Sequence, residues 1–384
     1  MFIPRKIASE IITQQEFFPV TTLTGPRQSG KTTLCRELFP NYRYVNMEDA
    51  ETRFAATKFP KEFLLEHSDG GKLVVDEAQR VPELFSATQV LVDENRARRF
   101  VFTGSSNFAL MRGITQSLAG RTSVFTLLPF ALDELPPERR AASVDSILFR
   151  GSYPALQASA VGENAFYSAY YTSYIERDLR EFINVRDLSA FEDFMRLCAS
   201  SVGCEINASK FANSLGVSRE TVHAWISTLE AAYIVFRLPP FFRNIRKRIV
   251  KSHKLYFYDT GLACWLLNIN SEEQLRRHPL RGELFENFVV AEHFKRSFNA
   301  ARRPNFYFYR DNLQKEVDLV EERGGEIRAS EIKIARTMHR DFFKNLDYFR
   351  ELFGESVTEA RVIYDGDYEH ATAQNGVVNF RNLP

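Results

Sequence analysis

The sequence predicts an α/β chain in three parts, and three stretches predict it. Val20-Thr-Thr-Leu-Thr24 is short and β-branched, and it leads through Gly25-Pro-Arg-Gln-Ser-Gly30 into Lys31–Phe39, apolar at Leu34, Leu38 and Phe39. Lys72-Leu-Val-Val-Asp76 is a second apolar run, with Glu77 directly after it. Near the C-terminus, Glu316–Val320 and Ile327–Ile334 flank the pair Gly324-Gly325. The first two are strands that alternate with helices, which implies a parallel sheet covered on both faces. The third reads as a hairpin in a separate, small α/β domain. A helical segment joins them. The expected bounds are 1–135, 136–270 and 271–384, with Leu135-Pro-Pro-Glu-Arg-Arg140 as the first link.

The composition permits this. A chain of 384 residues can bury a core in each of two or three domains. With 44% apolar and 26% charged residues it reads as an ordinary globular protein. The net charge of +1 creates no whole-molecule field toward nucleic acid, so any basic surface must be local. Cys35, Cys198, Cys204 and Cys264 form no CxxC pair. That argues against a zinc site or a disulfide framework and suits a reducing cytoplasm. No apolar run approaches membrane-spanning length, and the first ten residues lack the apolar centre of a signal peptide, so no membrane partner is expected.

Taken in order, residues 3–17 form a helix or a loop leading into the first strand. Gly25–Thr32 then fits the phosphate-binding pattern G-x-x-x-x-G-K-[ST]. Its backbone, Gly25, Pro26, Arg27, Gln28, Ser29 and Gly30, would wrap the phosphates of ATP, with Thr33 at the helix start. Lys31 would reach the β- and γ-phosphates, and the Thr32 hydroxyl would ligate Mg²⁺. Tyr42–Asn46 is a second strand. Lys72–Asp76 is the third, where Asp76 would hold Mg²⁺ through water and Glu77 would act as general base. Arg99–Thr103 is the fourth. It ends in Gly104-Ser-Ser-Asn107, where Ser105 or Ser106 would meet the γ-phosphate or the attacking water, or simply form a turn. Thr122–Thr126 is the fifth. Arg121, just before it, would supply positive charge in cis or to a neighbouring subunit, or remain an ordinary surface arginine.

GPRQSGKTTL, LVVDEAQRVPELF, FTGSSNF, SLAGR and LLPFALDEL stand in the order seen in a large family of prokaryotic AAA-type ATPases with a C-terminal domain of unknown function. The chain resembles that family over nearly its whole length, through Gly151-Ser-Tyr-Pro154, Tyr174-Ile-Glu-Arg-Asp178 and Lys254-Leu-Tyr-Phe-Tyr-Asp-Thr-Gly261. The resemblance implies an AAA-type P-loop domain that binds ATP and Mg²⁺, with Lys31, Thr32, Asp76 and Glu77 in the roles given above. It also implies a tendency to form homo-oligomeric rings.

In the middle, residues 163–202 carry helical periodicity. Ala208–Leu215, the turn Gly216-Val217 and Arg219–Ala232 then form a helix-turn-helix pattern, with Ser218 as N-cap. Val222, Trp225, Ile226 and Leu229 are its apolar stripe. Tyr233–Leu238 and Lys254–Tyr258 would be the strands of a winged helix. Between them, Arg243, Arg246, Lys247, Arg248, Lys251 and Lys254 form a basic run with no acid. It is either a DNA-phosphate contact or a solvated face beside a protein-binding module.

In the tail, Leu280–Phe298 reads as a helix and Phe306–Arg310 as a strand. If Gly324-Gly325 is a two-residue turn, Asp318 lies opposite Glu331, with Lys333 on the same face. This arrangement resembles the PD-(D/E)xK nuclease superfamily, with Glu286 matching the acid of the preceding helix. The resemblance implies that Asp318 and Glu331 hold a metal and that Lys333 orients or activates water. A cross-strand salt bridge on an inactive nuclease-like fold is the other reading.

Overall fold

Val20–Thr24 (β1) is buried at all its positions, as a strand inside a sheet covered on both faces must be. The structure is a computed structural model and describes residues 2–105, 116–174, 188–242, 252–372 and 375–383. The chain divides into two compact units. The first is Met1–Phe130 with Ala231–Tyr233 and Lys295–Arg303; the second is Ala131–Glu230, Ile234–Phe294 and Pro304–Pro384. The second unit holds most of residues 131–384, and Ala231–Tyr233 and Lys295–Arg303 belong to the first.

The first unit is an α/β sandwich. Its strands are β1, β2 (Arg43–Asn46), β3 (Lys72–Asp76), β4 (Arg99–Gly104) and β5 (Thr122–Thr126), in the order β2-β3-β4-β1-β5. All four pairings are parallel. Side chains alternate between faces, as the pleat requires. Val20, Leu73, Val75, Phe100 and Phe102 pack with Phe63 and Leu64 of the helix Pro60–His67 and with Leu84, Phe85, Leu91 and Val92 of Glu83–Glu94. Leu23, Val74, Val101 and Phe125 face the other way, onto Ile7, Ile11, Leu34 and Cys35. Ile11 and Leu34 belong to the helices Ala8–Gln15 (α1) and Lys31–Leu38 (α2). Each fully buried Leu or Phe contributes about 1.5–3 kcal/mol, so this double-sided core anchors the strand ends that carry the site.

The second unit begins with helices. Ala208–Leu215 starts at Asn207, whose side chain accepts from Lys210 N, and stops at Gly216 with φ 66. Ser218 Oγ accepts from Thr221 N at 3.0 Å and starts Arg219–Ala231. Val222, Trp225, Ile226 and Leu229 are buried. Val235–Leu238 (β6) pairs antiparallel with Lys254–Phe257 (β7), and bridges at Val202↔Leu255 and Glu205↔Lys254 widen this ribbon.

The long helix Arg281–Asn299 precedes a mixed sheet. Its strands are β8 (Phe306–Arg310), β9 (Glu316–Arg323), β10 (Glu326–Lys333), β11 (Val357–Tyr364), β12 (His370–Ala371) and β13 (Asn375–Asn379). The order is β12-β13-β11-β10-β9-β8. β8, β9 and β10 pair antiparallel, whereas β10 and β11 are parallel, joined through the helix Lys344–Phe353. Gly324 and Gly325, at φ 61 and 90, make the hairpin turn that L side chains resist. The ladder pairs Glu326↔Arg323 through Ser330↔Leu319, which places Asp318 opposite Glu331 one rung further on.

Candidate functional site

The loop between β1 and α2 is built around glycines that nothing else can replace. Gly25 has φ 147, and a Cβ there would lie 2.1 Å from Leu127 O. Gly30, at φ 93, turns the chain into α2. Arg5 braces the loop from below, donating to Ser29 O at 3.0 Å and to Leu128 O at 2.7 Å. Its guanidinium stands 4.5 Å from the Phe130 ring centroid. Tyr233, at φ 57, donates to Thr24 Oγ1 at 3.3 Å, immediately before the loop. Neither Arg5 nor Tyr233 carried a sequence signal, because both arrive from segments remote from the motif.

Lys31 is buried, and its Nζ donates to Gly25 O at 2.9 Å and Pro26 O at 2.8 Å. Burial lowers its pKa below the ordinary value, with the charges of Glu77 and Asp76 working against that shift. The ammonium is thus held over the loop by weak neutral acceptors. Ser29 Oγ is buried and has no hydrogen-bond partner among the described residues. An orphan hydroxyl in a glycine loop is a donor that a phosphate oxygen would satisfy, so the loop fits ATP.

The ends of β3 and β4 complete the site. Asp76 Oδ2 accepts from Thr32 Oγ1 at 2.7 Å and from Tyr44 OH at 2.5 Å. Asp76 Oδ1 accepts from Thr103 Oγ1. Thr32 and Asp76 therefore present hard oxygens side by side, the donor set that Mg²⁺ selects. Glu77 has φ 54, a left-handed backbone that turns its side chain away from the strand line. Its Oε2 accepts from Gln79 Nε2 at 2.5 Å and from Ser105 Oγ at 3.1 Å. Thr103, Tyr44 and Gln79 are members of this cluster that sequence reasoning missed. Thr103 had a signal, a polar β-branched residue at a strand end, whereas Tyr44 had none.

Of the readings left open for Arg121, the one within its own chain meets an obstacle here. Arg121 sits at the amino end of β5, where its carbonyl accepts from Val20 N. The loop leaves the carboxyl end of β1, about 16 Å along a five-residue strand. Arg121 is paired with Asp93 through two bonds of 2.7 Å each. It therefore does not reach the phosphate loop of its own chain. Ser106 lies outside the described residues.

A family model described as "AAA domain" matches residues 18–136. Two others, "Domain of unknown function (DUF8612)" and "Domain of unknown function (DUF4143)", match 141–273 and 281–383. An uncharacterized protein of Mycobacterium tuberculosis is 33% identical over 324 residues, covering 83% of this chain and 71% of the relative. The chain belongs to this family of prokaryotic AAA-type ATPases with a C-terminal domain of unknown function. It is a P-loop ATP hydrolase. An uncharacterized protein of Haemophilus influenzae is 21% identical over 314 residues, 73% of this chain and 75% of the relative. Among solved structures, a Walker-type ATPase of Pyrococcus abyssi aligns with 69% of this chain and 96% of its own at 15% identity, with a TM-score of 0.42. No helix among the described residues is long and apolar enough to cross a membrane.

The ATPase's C-terminal sheet brings Asp318, Glu331 and Lys333 together, and Glu286, on the helix Arg281–Asn299, pairs instead with residues the sequence placed elsewhere. Lys333 Nζ lies 2.6 Å from Glu331 Oε2 and 3.3 Å from Asp318 Oδ2. Asp318 Oδ2 also accepts from Ile332 N at 2.7 Å, and Asn345 donates to Glu331 Oε1 at 3.2 Å. Lys254, expected on the basic wing, is 3% exposed. Its Nζ bridges Glu286 at 3.0 Å and Glu316 at 2.5 Å, and Tyr256 OH donates to Glu286 at 2.5 Å. That is a correction, since an ammonium buried between two carboxylates is not presented to DNA. Arg243, Arg246, Lys247, Arg248 and Lys251 lie outside the described residues.

Burial raises Glu286 to about 7, with Lys254 opposing and Asp318 adding to the shift. Burial and the Asp318 charge raise Glu331 to about 8 against the pull of Lys333. Burial alone would lower Lys254, but Tyr256, Glu286, Glu316 and Asp318 hold it well above its usual value. Four carboxyls thus share two ammoniums, and two of the four keep protons into the neutral range. Among the described residues, no group of three or more His, Cys, Asp or Glu side chains is arranged to hold a metal ion.

Proposed function

We propose that the protein hydrolyses ATP with Mg²⁺ and couples that hydrolysis to work on DNA. The observation that carries the first half is the contact of Thr32 Oγ1 with Asp76 Oδ2, beside a Glu77 held by Ser105. Thr32 and Asp76 are the residues that would hold Mg²⁺, which supplies charge neutralisation on the phosphate oxygens. Lys31 leaves the weak carbonyl acceptors of Gly25 and Pro26 for the β- and γ-phosphates, exchanging neutral partners for anionic ones. Glu77 aligns the attacking water and takes its proton at a carboxylate oxygen. Ser105 orients Glu77 and connects it with the end of β4. Pro26, Arg27, Gln28, Gly30 and Thr33 provide the loop backbone and the start of α2.

The DNA half rests on the basic run 243–251, read with the capped helix pair and the β6–β7 ribbon as a winged helix. The C-terminal unit is read as nuclease-like from its helix–β8–β9–β10–helix–β11 order. Its carboxylates are neutralised internally, so catalysis there is not part of the reading. A second reading, an ATP-switched protein-interaction module, draws on that same closed cluster. One measurement separates the two: the ATPase rate with Mg²⁺, with and without duplex DNA, and Glu77→Gln as control. Stimulation by DNA supports the first reading. A Mg²⁺-dependent rate indifferent to DNA favours the second.

A further inference from the structure

Asp76 is surrounded by hydroxyl donors from three separate elements, and the phosphate motif explains only one of them. Thr32 comes from α2, Thr103 from the end of β4 and Tyr44 from β2. Tyr44 OH and Thr32 Oγ1 donate to the same oxygen, Oδ2, at 2.5 and 2.7 Å. Tyr44 is held on both sides of that bond. Its backbone stands in β2 opposite Val74, two residues before Asp76. Its ring lies 4.5 Å below the Arg36 guanidinium.

We infer that Tyr44 is a positioning residue for the Mg²⁺ site, acting through Asp76. The inference rests on the reading of Thr32 and Asp76 as the residues that hold the cation. The Thr32 hydroxyl has one proton and two lone pairs, so it can ligate a cation while its O–H still donates to Asp76 Oδ2. Oδ2 is thus fixed by two hydroxyl donors from different elements, and Asp76 would hold the cation through a metal-bound water. A charge-assisted bond from a fixed phenol holds the carboxylate at the angle that this water needs. Thr103 anchors the other oxygen, so the carboxylate plane is set by hydroxyl donors on both oxygens.

The test compares wild type with Tyr44→Phe, which keeps the ring and its contact with Arg36 and removes only the hydroxyl. Affinity for a fluorescent ADP analogue is measured in Mg²⁺ and in EDTA, and Mn²⁺ binding to the nucleotide complex is followed by electron paramagnetic resonance. Removing an outer-shell partner lowers metal affinity roughly tenfold to a hundredfold. The expected result is a fall of that size in Mn²⁺ affinity, with a matching fall in the Mg²⁺-to-EDTA affinity ratio. A merely structural tyrosine would lower both nucleotide affinities together and leave the ratio alone. A variant ratio and Mn²⁺ affinity equal to wild type overturn the role of Tyr44. A wild-type ratio near one overturns the metal reading of Thr32 and Asp76 itself, and this inference with it.

Discussion

Ser105 Oγ donates to Glu77 Oε2 at 3.1 Å, across the gap between the carboxyl ends of neighbouring parallel strands. The contact ties the expected general base to the strand that separates it from the phosphate loop. Glu77→Gln keeps the shape and loses the base. It should bind ATP and lose about a hundredfold or more in kcat. Lys31→Ala should instead lose nucleotide affinity, measured by equilibrium titration. Wild-type turnover by Glu77→Gln would remove Glu77 from the mechanism.

Arg121, at the far end of the sheet from its own loop, can serve hydrolysis only from another subunit. Arg121→Ala and Lys31→Ala should each be inactive alone and recover part of the rate when mixed. Mixed interfaces would then pair an intact arginine with an intact loop. A mixture as inactive as its components, with monomers by light scattering, would assign Arg121 to its pair with Asp93 alone.

The basic wing predicts sequence-independent binding to duplex DNA. Replacing Arg246, Lys247 and Arg248 together by Ala should weaken binding to all sequences alike. The plot of log affinity against log salt should become shallower by up to about 0.9 per lost phosphate contact. Lys254→Ala should leave that slope unchanged, because Lys254 is buried between Glu286 and Glu316. An unchanged slope in the triple variant would remove the wing from DNA binding.

The carboxylate cluster predicts a response to charge and to pH. Lys254→Met strands Glu286 and Glu316 and should cost about 3–5 kcal/mol in chemical denaturation. Mg²⁺ and Mn²⁺ should leave the melting temperature of the nucleotide-free Asp76→Asn protein unchanged, and DNA uncut. Glu286 and Glu331 hold protons to about 7 and about 8 in the folded protein. Their unfolded value is near 4.3, so between these limits the folded state binds more protons. Their contribution is therefore fully present below about pH 4 and is lost as pH rises through 7 to 8. Glu331→Gln should flatten that decline in melting temperature. A metal-induced shift, or cleavage abolished by Asp318→Asn, would show that the site is open.

Local chemistry was legible in the sequence. Gly25–Gly30 lies between β1 and α2 because a β-branched run, two glycines and an amphipathic octet each dictate their own backbone. The Gly324-Gly325 turn set the β9–β10 register, because a two-residue hairpin leaves no freedom in pairing. Strand order and remote packing were not legible. That β4 runs between β1 and β3, carrying Thr103 and Ser105 to Asp76 and Glu77, depends on which faces pack best across the whole sheet. The end of the sheet on which Arg121 falls follows from the same parallel arrangement. Lys254 looked like one more wing cation, since charge in sequence carries no record of what will surround it. Only folding brought Glu286 and Glu316 around its ammonium, where the cost of burying each charge is offset by the others.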